Sequence, residues 1–310
     1  MPTVFRYIFM ILKGGLHMKV PFTGCATAIV TPMRDGGVDF HALARLIEFQ
    51  IENGVAAIVP CGTTGEAPTL SGEEKKRVIA FTIKRVDGRI PVIAGCGSPS
   101  TEYAAEYAAD AEKEGADGIL VVTPYYNKAT DTGVYLHYKT IADRVQIPVI
   151  AYNVPSRTGL CISESAYGLL CTIPNLCGVK EASANVGYAE KIAVSYGDKL
   201  GIYSGCDELT APIYAVGGCG VVSVLSNIMP ASMVRLCDLC QTGQMQDAAA
   251  LQQALYSMIR ALFSEVSPIP VKTALSLMGL CSDEMRLPLC PMGTEGREKL
   301  ALEMQRHGLI

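Results

Sequence analysis

Residues 147–154 read Ile147-Pro-Val-Ile-Ala-Tyr-Asn-Val154. The run starts apolar on both alternating faces, as does Val55-Ala-Ala-Ile-Val, and a parallel sheet covered by helices on each side demands that pattern. Working outward, short β-branched runs bounded by Gly or Pro recur at Cys25–Met33, Val55–Cys61, Ile90–Cys96, Gly118–Tyr125, Ile147–Val154, Leu176–Ala182, Leu200–Cys206 and Gly220–Ser226. Between them lie stretches of helical composition such as His41–Ile51, Glu73–Arg85, Glu102–Glu114 and Ala189–Tyr196. Eight βα units, with the last strand ending near residue 226, predict a closed (β/α)8 TIM barrel. A doubly wound sheet would place GxGxxG directly after its first strand, and Thr31-Pro-Met-Arg-Asp-Gly-Gly does not supply it. Gly217-Gly-Cys-Gly precedes a strand instead of opening a helix, so it reads as turn chemistry.

The predicted organisation is a barrel over 18–243 and a C-terminal helical region over 244–310, broken at Pro268, Pro270, Pro288 and Pro291. Residues 1–17 read as an extension upstream of a start at Met18. The apolar segment Val4–Leu12 is too short to span a bilayer and has no small-residue cleavage site.

Composition narrows the function classes. The 310 residues are 49% hydrophobic and 18% charged, with a formal net charge of −4, which describes a well-packed globular protein and excludes a disordered or fibrous one. That balance offers no positive field for nucleic-acid phosphates or anionic lipid. Twelve cysteines sit mostly in apolar runs, where a free thiol behaves as a small hydrophobe, and a reduced, cytoplasmic setting fits them. Cys237 and Cys240 have CxxC spacing, but no second pair or histidine cluster completes a metal set.

In a (β/α)8 barrel the catalytic groups come from the carboxyl ends of the strands and the loops after them. Lys180, two places after Gly178 in a strand buried on both faces, cannot easily reach water there. Desolvation favours its neutral amine, a nucleophile toward carbonyls. The competing reading is a structural lysine paired with Glu181, but adjacent strand residues point to opposite faces. A proton carrier is then required. The four histidines all lie off the strand ends, which leaves the hydroxyls of Tyr152, Thr63 and Tyr126 as a relay. Arg157, in Pro155-Ser-Arg-Thr-Gly159, presents a bidentate fork for a carboxylate. The Gly62-Thr-Thr-Gly65 turn offers backbone N–H groups and two hydroxyls to a second. The expected substrate is acidic and carries a carbonyl.

Together, Gly62-Thr-Thr-Gly-Glu66, Pro124-Tyr-Tyr-Asn127, Tyr152-Asn-Val-Pro-Ser-Arg-Thr-Gly159, Gly178-Val-Lys-Glu-Ala182 and Pro268-Ile-Pro-Val-Lys-Thr-Ala274 resemble the dihydrodipicolinate synthase family of class I aldolase-type barrels, from about Phe22 onward. The resemblance implies that pyruvate forms an imine on Lys180 and, as its enamine, attacks L-aspartate 4-semialdehyde on the route to diaminopimelate and lysine, with no cofactor. It also implies that Tyr152 is the general acid/base, Thr63 links it to Tyr126, Thr64 holds the pyruvate carboxylate, Arg157 receives the semialdehyde carboxylate, and Gly205 and Val222 line the pocket. The Tyr126 counterpart in the family enters the neighbouring subunit's site, which implies a homodimer, usually doubled to a homotetramer.

One region departs from the feedback-inhibited members of that family. Where their interface cleft carries polar and acidic groups for lysine, this chain has Ala67, Pro68, Lys75, Pro99 and Tyr103, with Tyr125 still matching. A cation at position 75 repels a cationic effector, so weak or absent inhibition by L-lysine is expected. The rival readings are a sibling aldolase acting on sugar acids, which Arg157 disfavours, and a catalytically silent keto-acid-binding barrel, which the filled strand ends disfavour.

Overall fold

The computed structural model describes residues 19–310, so the expected extension over 1–17 and the start at Met18 lie outside the described residues. Eight strands, β1 (Gly24–Ala28), β2 (Ala57–Val59), β3 (Ile93–Gly95), β4 (Gly118–Val122), β5 (Val149–Asn153), β6 (Leu176–Glu181), β7 (Gly201–Ser204) and β8 (Gly220–Ser223), alternate with α1 (Phe40–Glu52), α2 (Gly72–Val86), α3 (Thr101–Glu114), α4 (Asp131–Ala142), α5 (Glu164–Leu170), α6 (Val186–Tyr196), α7 (Thr210–Ala215) and α8 (Pro230–Gln241). After them come α9 (Met245–Leu262), α10 (Ile269–Leu277) and α11 (Thr294–Arg306).

Local chemistry explains where the first six helices begin. Asp39, Ser71, Ser100, Thr130, Ser163 and Asn185 each accept a backbone N–H from the first turn, a cap that contributes about 1 kcal/mol. Ser71 and Glu74 complete a reciprocal capping box on α2.

The strands run parallel in the order β2-β1-β8-β7-β6-β5-β4-β3, and a bridge between Ile58 and Val92 joins the two ends, so the barrel is closed. Residues alternate between two cores. Val149 and Ala151 pack outward under the helices, whereas Ile150 and Tyr152 enter the interior with Ala26, Val59, Leu120 and Val222. Phe22 stacks on Tyr203 at a centroid distance of 4.4 Å, and Tyr203 Oη donates to the Phe22 carbonyl at 2.7 Å. That aromatic pair packs at the amino end of the barrel.

The predicted runs are longer than the strands. The stretch Cys25–Met33 leaves the ladder after Ala28, and Met33 opens a small hairpin with Gly37–Val38. Pro32 lacks the N–H that a ladder needs. In the C-terminal region Pro270 does not break a helix as expected; it occupies the first turn of α10, where the missing N–H costs nothing.

Candidate active site

Strands β5 and β6 pair so that Tyr152 lies opposite Lys180 and Asn153 opposite Glu181. Both Tyr152 and Lys180 therefore point into the barrel at its carboxyl end. Lys180 is 5% exposed, its Nζ lies 4.3 Å from the Tyr152 ring centroid, and it makes no ion pair or hydrogen bond among the described residues. Glu181 faces the other way. Its carboxylate accepts from Asn153 Nδ2 at 2.8 Å and from the Ser183 N–H at 2.6 Å, and burial pushes its pKa up. The pairing of Lys180 with its neighbour, the bland alternative, is thus excluded by the strand's own alternation.

Gly205 is where close approach requires a glycine. A Cβ there would stand 2.6 Å from that of Ala182 and 3.1 Å from Lys180 Cε. Val222 is buried in the same interior cluster as Tyr152.

The Gly62–Glu66 turn after β2 is bracketed by two residues in the left-handed region, Cys61 at φ 56° and Glu66 at φ 55°. Such conformations persist only where the surroundings enforce them. Here Thr31 Oγ1 donates to the Gly65 carbonyl at 2.7 Å, and the Glu66 N–H reaches the Thr63 carbonyl at 3.1 Å. Glu66 then runs inward to Lys272, Oε1 to Nζ 2.5 Å, in an ion pair with both side chains fully buried. Sequence reasoning quoted both residues inside motifs and assigned neither a role. The signal was available: a lone lysine in the apolar stretch Ile269-Pro-Val-Lys-Thr-Ala-Leu275 must find a buried acid.

A cavity of about 220 Å³ opens at this rim, with Thr63, Tyr125, Tyr152, Arg157 and Thr158 in its wall. Lys180 is not in the wall; it sits against the Tyr152 ring. One Arg157 Nη donates to the Ser267 carbonyl at 3.2 Å, which fixes an edge of the guanidinium and leaves the rest of the fork free among the described residues. Thr64 is buried beside Thr63. Tyr126 does not join this group. Its side chain is 93% exposed and its backbone is left-handed at φ 72°.

Lys75 also borders the cavity, half-buried over the Tyr107 ring at 4.5 Å, and desolvation pushes its amine's pKa down. The thiols at the strand ends are held protonated. Burial pushes Cys61 and Cys206 up to about 12, which makes them packing groups rather than nucleophiles. No group of three or more His, Cys, Asp or Glu among the described residues could hold a metal ion, and none of the described helices is long and apolar enough to cross a membrane.

The fold and this lysine–tyrosine pair define a class, the aldolase-type (β/α)8 barrels with a sequestered amine at the catalytic rim. Within that class, the dihydrodipicolinate synthetase family profile matches residues 21–307, and the chain belongs to that family. A 4-hydroxy-tetrahydrodipicolinate synthase of Geobacter metallireducens is 50% identical over 289 residues, which cover 93% of this chain and all of the relative. The dihydrodipicolinate synthase structure from Aquifex aeolicus superposes with a TM-score of 0.91 at 43% identity, covering 93% of this chain and 99% of that one. The chloride-inhibited dihydrodipicolinate synthase from Acinetobacter baumannii, solved with pyruvate, matches with the same TM-score, identity and coverage.

Proposed function

We propose that this protein is a 4-hydroxy-tetrahydrodipicolinate synthase, a lyase of diaminopimelate and lysine biosynthesis that joins pyruvate to L-aspartate 4-semialdehyde. The observation that carries the reading is the unpaired, buried Lys180 amine facing Tyr152 at the carboxyl end of the barrel. The relatives' shared name and the pyruvate complex of one of them support it.

The Lys180 amine adds to C2 of pyruvate, and the carbinolamine loses water to form an imine. The imine draws electrons from the adjacent methyl group, which loses a proton to give an enamine; no cofactor is needed as an electron sink. The enamine carbon attacks the aldehyde carbon of the semialdehyde, and the new alkoxide takes up a proton. The substrate's own amine then displaces Lys180 from the imine carbon, which closes the ring and returns the free amine. Tyr152 serves as general acid/base, with Thr63 passing protons toward Tyr126. Thr64 holds the pyruvate carboxylate, Arg157 receives the second carboxylate, and Gly205 and Val222 shape the pocket.

Tyr126 enters this scheme from a second copy. A large aromatic held outward on a left-handed backbone is the expected form of a residue that completes a neighbour's site, so the working unit is a homodimer, doubled to a homotetramer, in the cytoplasm. Lys75, which borders the same cavity, opposes a cationic effector, and micromolar inhibition by L-lysine would contradict that reading.

Incubation with pyruvate and borohydride, followed by peptide mass mapping, tests the core step. The expected product is one reduced adduct on Lys180. An unmodified Lys180 overturns the proposal. A coupled assay of semialdehyde condensation against sugar-acid cleavage tests the second substrate.

A further inference from the structure

The C-terminal helical region does more than pack on the barrel. Lys272, in the first turns of α10, is fully buried and divides its Nζ between Glu66 Oε1 at 2.5 Å and the Glu284 carbonyl at 2.6 Å. The Arg286 N–H approaches Glu66 Oε2 at 3.4 Å, so both carboxylate oxygens are engaged from the same region. Glu66 itself stands at φ 55° and directly follows Thr63-Thr64-Gly65. Its backbone holds the turn shut, its N–H to the Thr63 carbonyl and its carbonyl to the Thr69 N–H at 3.0 Å. The orientation of the Thr63 and Thr64 hydroxyls and N–H groups is therefore tied, through one side chain, to an ion pair that water does not reach.

We propose that Lys272 and Glu66 are positioning residues that hold the Thr63–Thr64 turn in the form that receives the oxo-acid carboxylate. This rests on the reading of Lys180 as the pyruvate-binding amine. A buried ion pair is weak evidence for stability, since well-packed apolar replacements of the whole pair are often tolerated. What an apolar pair cannot reproduce is the directed hold on a left-handed carboxylate residue. Lys272 takes no part in bond making, because its amine is buried against two oxygen partners and is absent from the cavity wall.

The test compares K272M, K272M/E66L and E66Q with the wild-type protein at full length. Thermal unfolding, both KM values, kcat and pyruvate-dependent borohydride trapping at Lys180 are measured for each. In K272M/E66L the transition is expected to return close to the wild-type midpoint, because no charge is left uncompensated. In E66Q the protein is expected to stay folded. In both, KM for pyruvate is expected to rise ten-fold or more and trapping at low pyruvate to slow in parallel, while kcat at saturating pyruvate falls by a smaller factor, through Thr63. A folded variant of either kind with wild-type pyruvate KM overturns the proposal. So does failure of both to fold, since a pair needed by the whole fold is not a local positioning device. If wild-type Lys180 forms no reducible adduct, the functional reading falls and takes this inference with it; an intact wild-type adduct with unchanged variant KM removes the inference alone.

Discussion

Among the described residues two lysines are buried, and their surroundings differ in kind. Lys180, at the end of β6, faces the Tyr152 ring and has no carboxylate within ion-pair reach among the described residues. Lys272, at the start of α10, meets Glu66 with neither side chain exposed. Both side chains are removed from water. Only Lys272 is offered a carboxylate, so only there does the side chain end in an ion pair. The partner, not the burial, separates the proposed nucleophile from the proposed buttress.

The sharpest way to break the comparison is to remove each amine. Lys180→Ala is expected to lower kcat/KM by ~10³-fold or more while leaving stability nearly unchanged, because the covalent step has no substitute. Steady-state kinetics and the borohydride adduct check it, and an adduct appearing on Lys272 would reverse the two assignments. Lys272→Met strands the Glu66 carboxylate in the interior. It is expected to cost about 3–5 kcal/mol, measured by urea unfolding, whereas the K272M/E66L double variant recovers most of that loss. Equal stability of the single and double variants would show that the pair is not coupled.

A smaller effect is expected at the ring that Lys180 faces. Tyr152→Phe keeps the aromatic wall and removes the hydroxyl, so turnover should fall about 10²-fold with little change in stability. Turnover at wild-type level in this variant would remove the proton carrier from the scheme.

Much of this contrast could be read from the chain before its structure, and the part that could not has a physical reason. Barrel closure follows from repeated apolar runs, and Lys180 stands out because a strand buried on both faces rarely carries a cation. Tyr152, Thr63 and Arg157 were reachable because strand ends are local features of sequence. Lys272 and Glu66 are 206 positions apart. Nothing local specifies which acid a buried lysine finds, and neither the Thr31 hold on Gly65 nor the Ser267 carbonyl on Arg157 leaves a periodic trace. Tyr126 shows the other limit: its place on the chain was clear, yet one copy of the protein leaves it facing solvent.

The same seam offers a graded version of the comparison. Fourteen residues after Lys272, Arg286 grips Glu74 through two nitrogens, at 2.7 and 2.5 Å, but this pair is about a quarter exposed. The hydrogen bonds from Arg286 hold the Glu74 pKa down, from 4.5 to about 2, against the opposing effect of burial. A carboxylate whose pKa is lower folded than unfolded contributes stability that is complete above the unfolded value and lost as pH falls from about 4.5 toward about 2. Glu74→Gln removes that titration. Between pH 6 and pH 3 the wild-type protein is expected to lose on the order of 1–2 kcal/mol more than the variant in urea unfolding, the partial exposure of the pair reducing the full linkage value. Parallel pH profiles for the two proteins would mean that solvent screens Arg286 from Glu74, and the acid sensitivity of the seam would then belong to other groups.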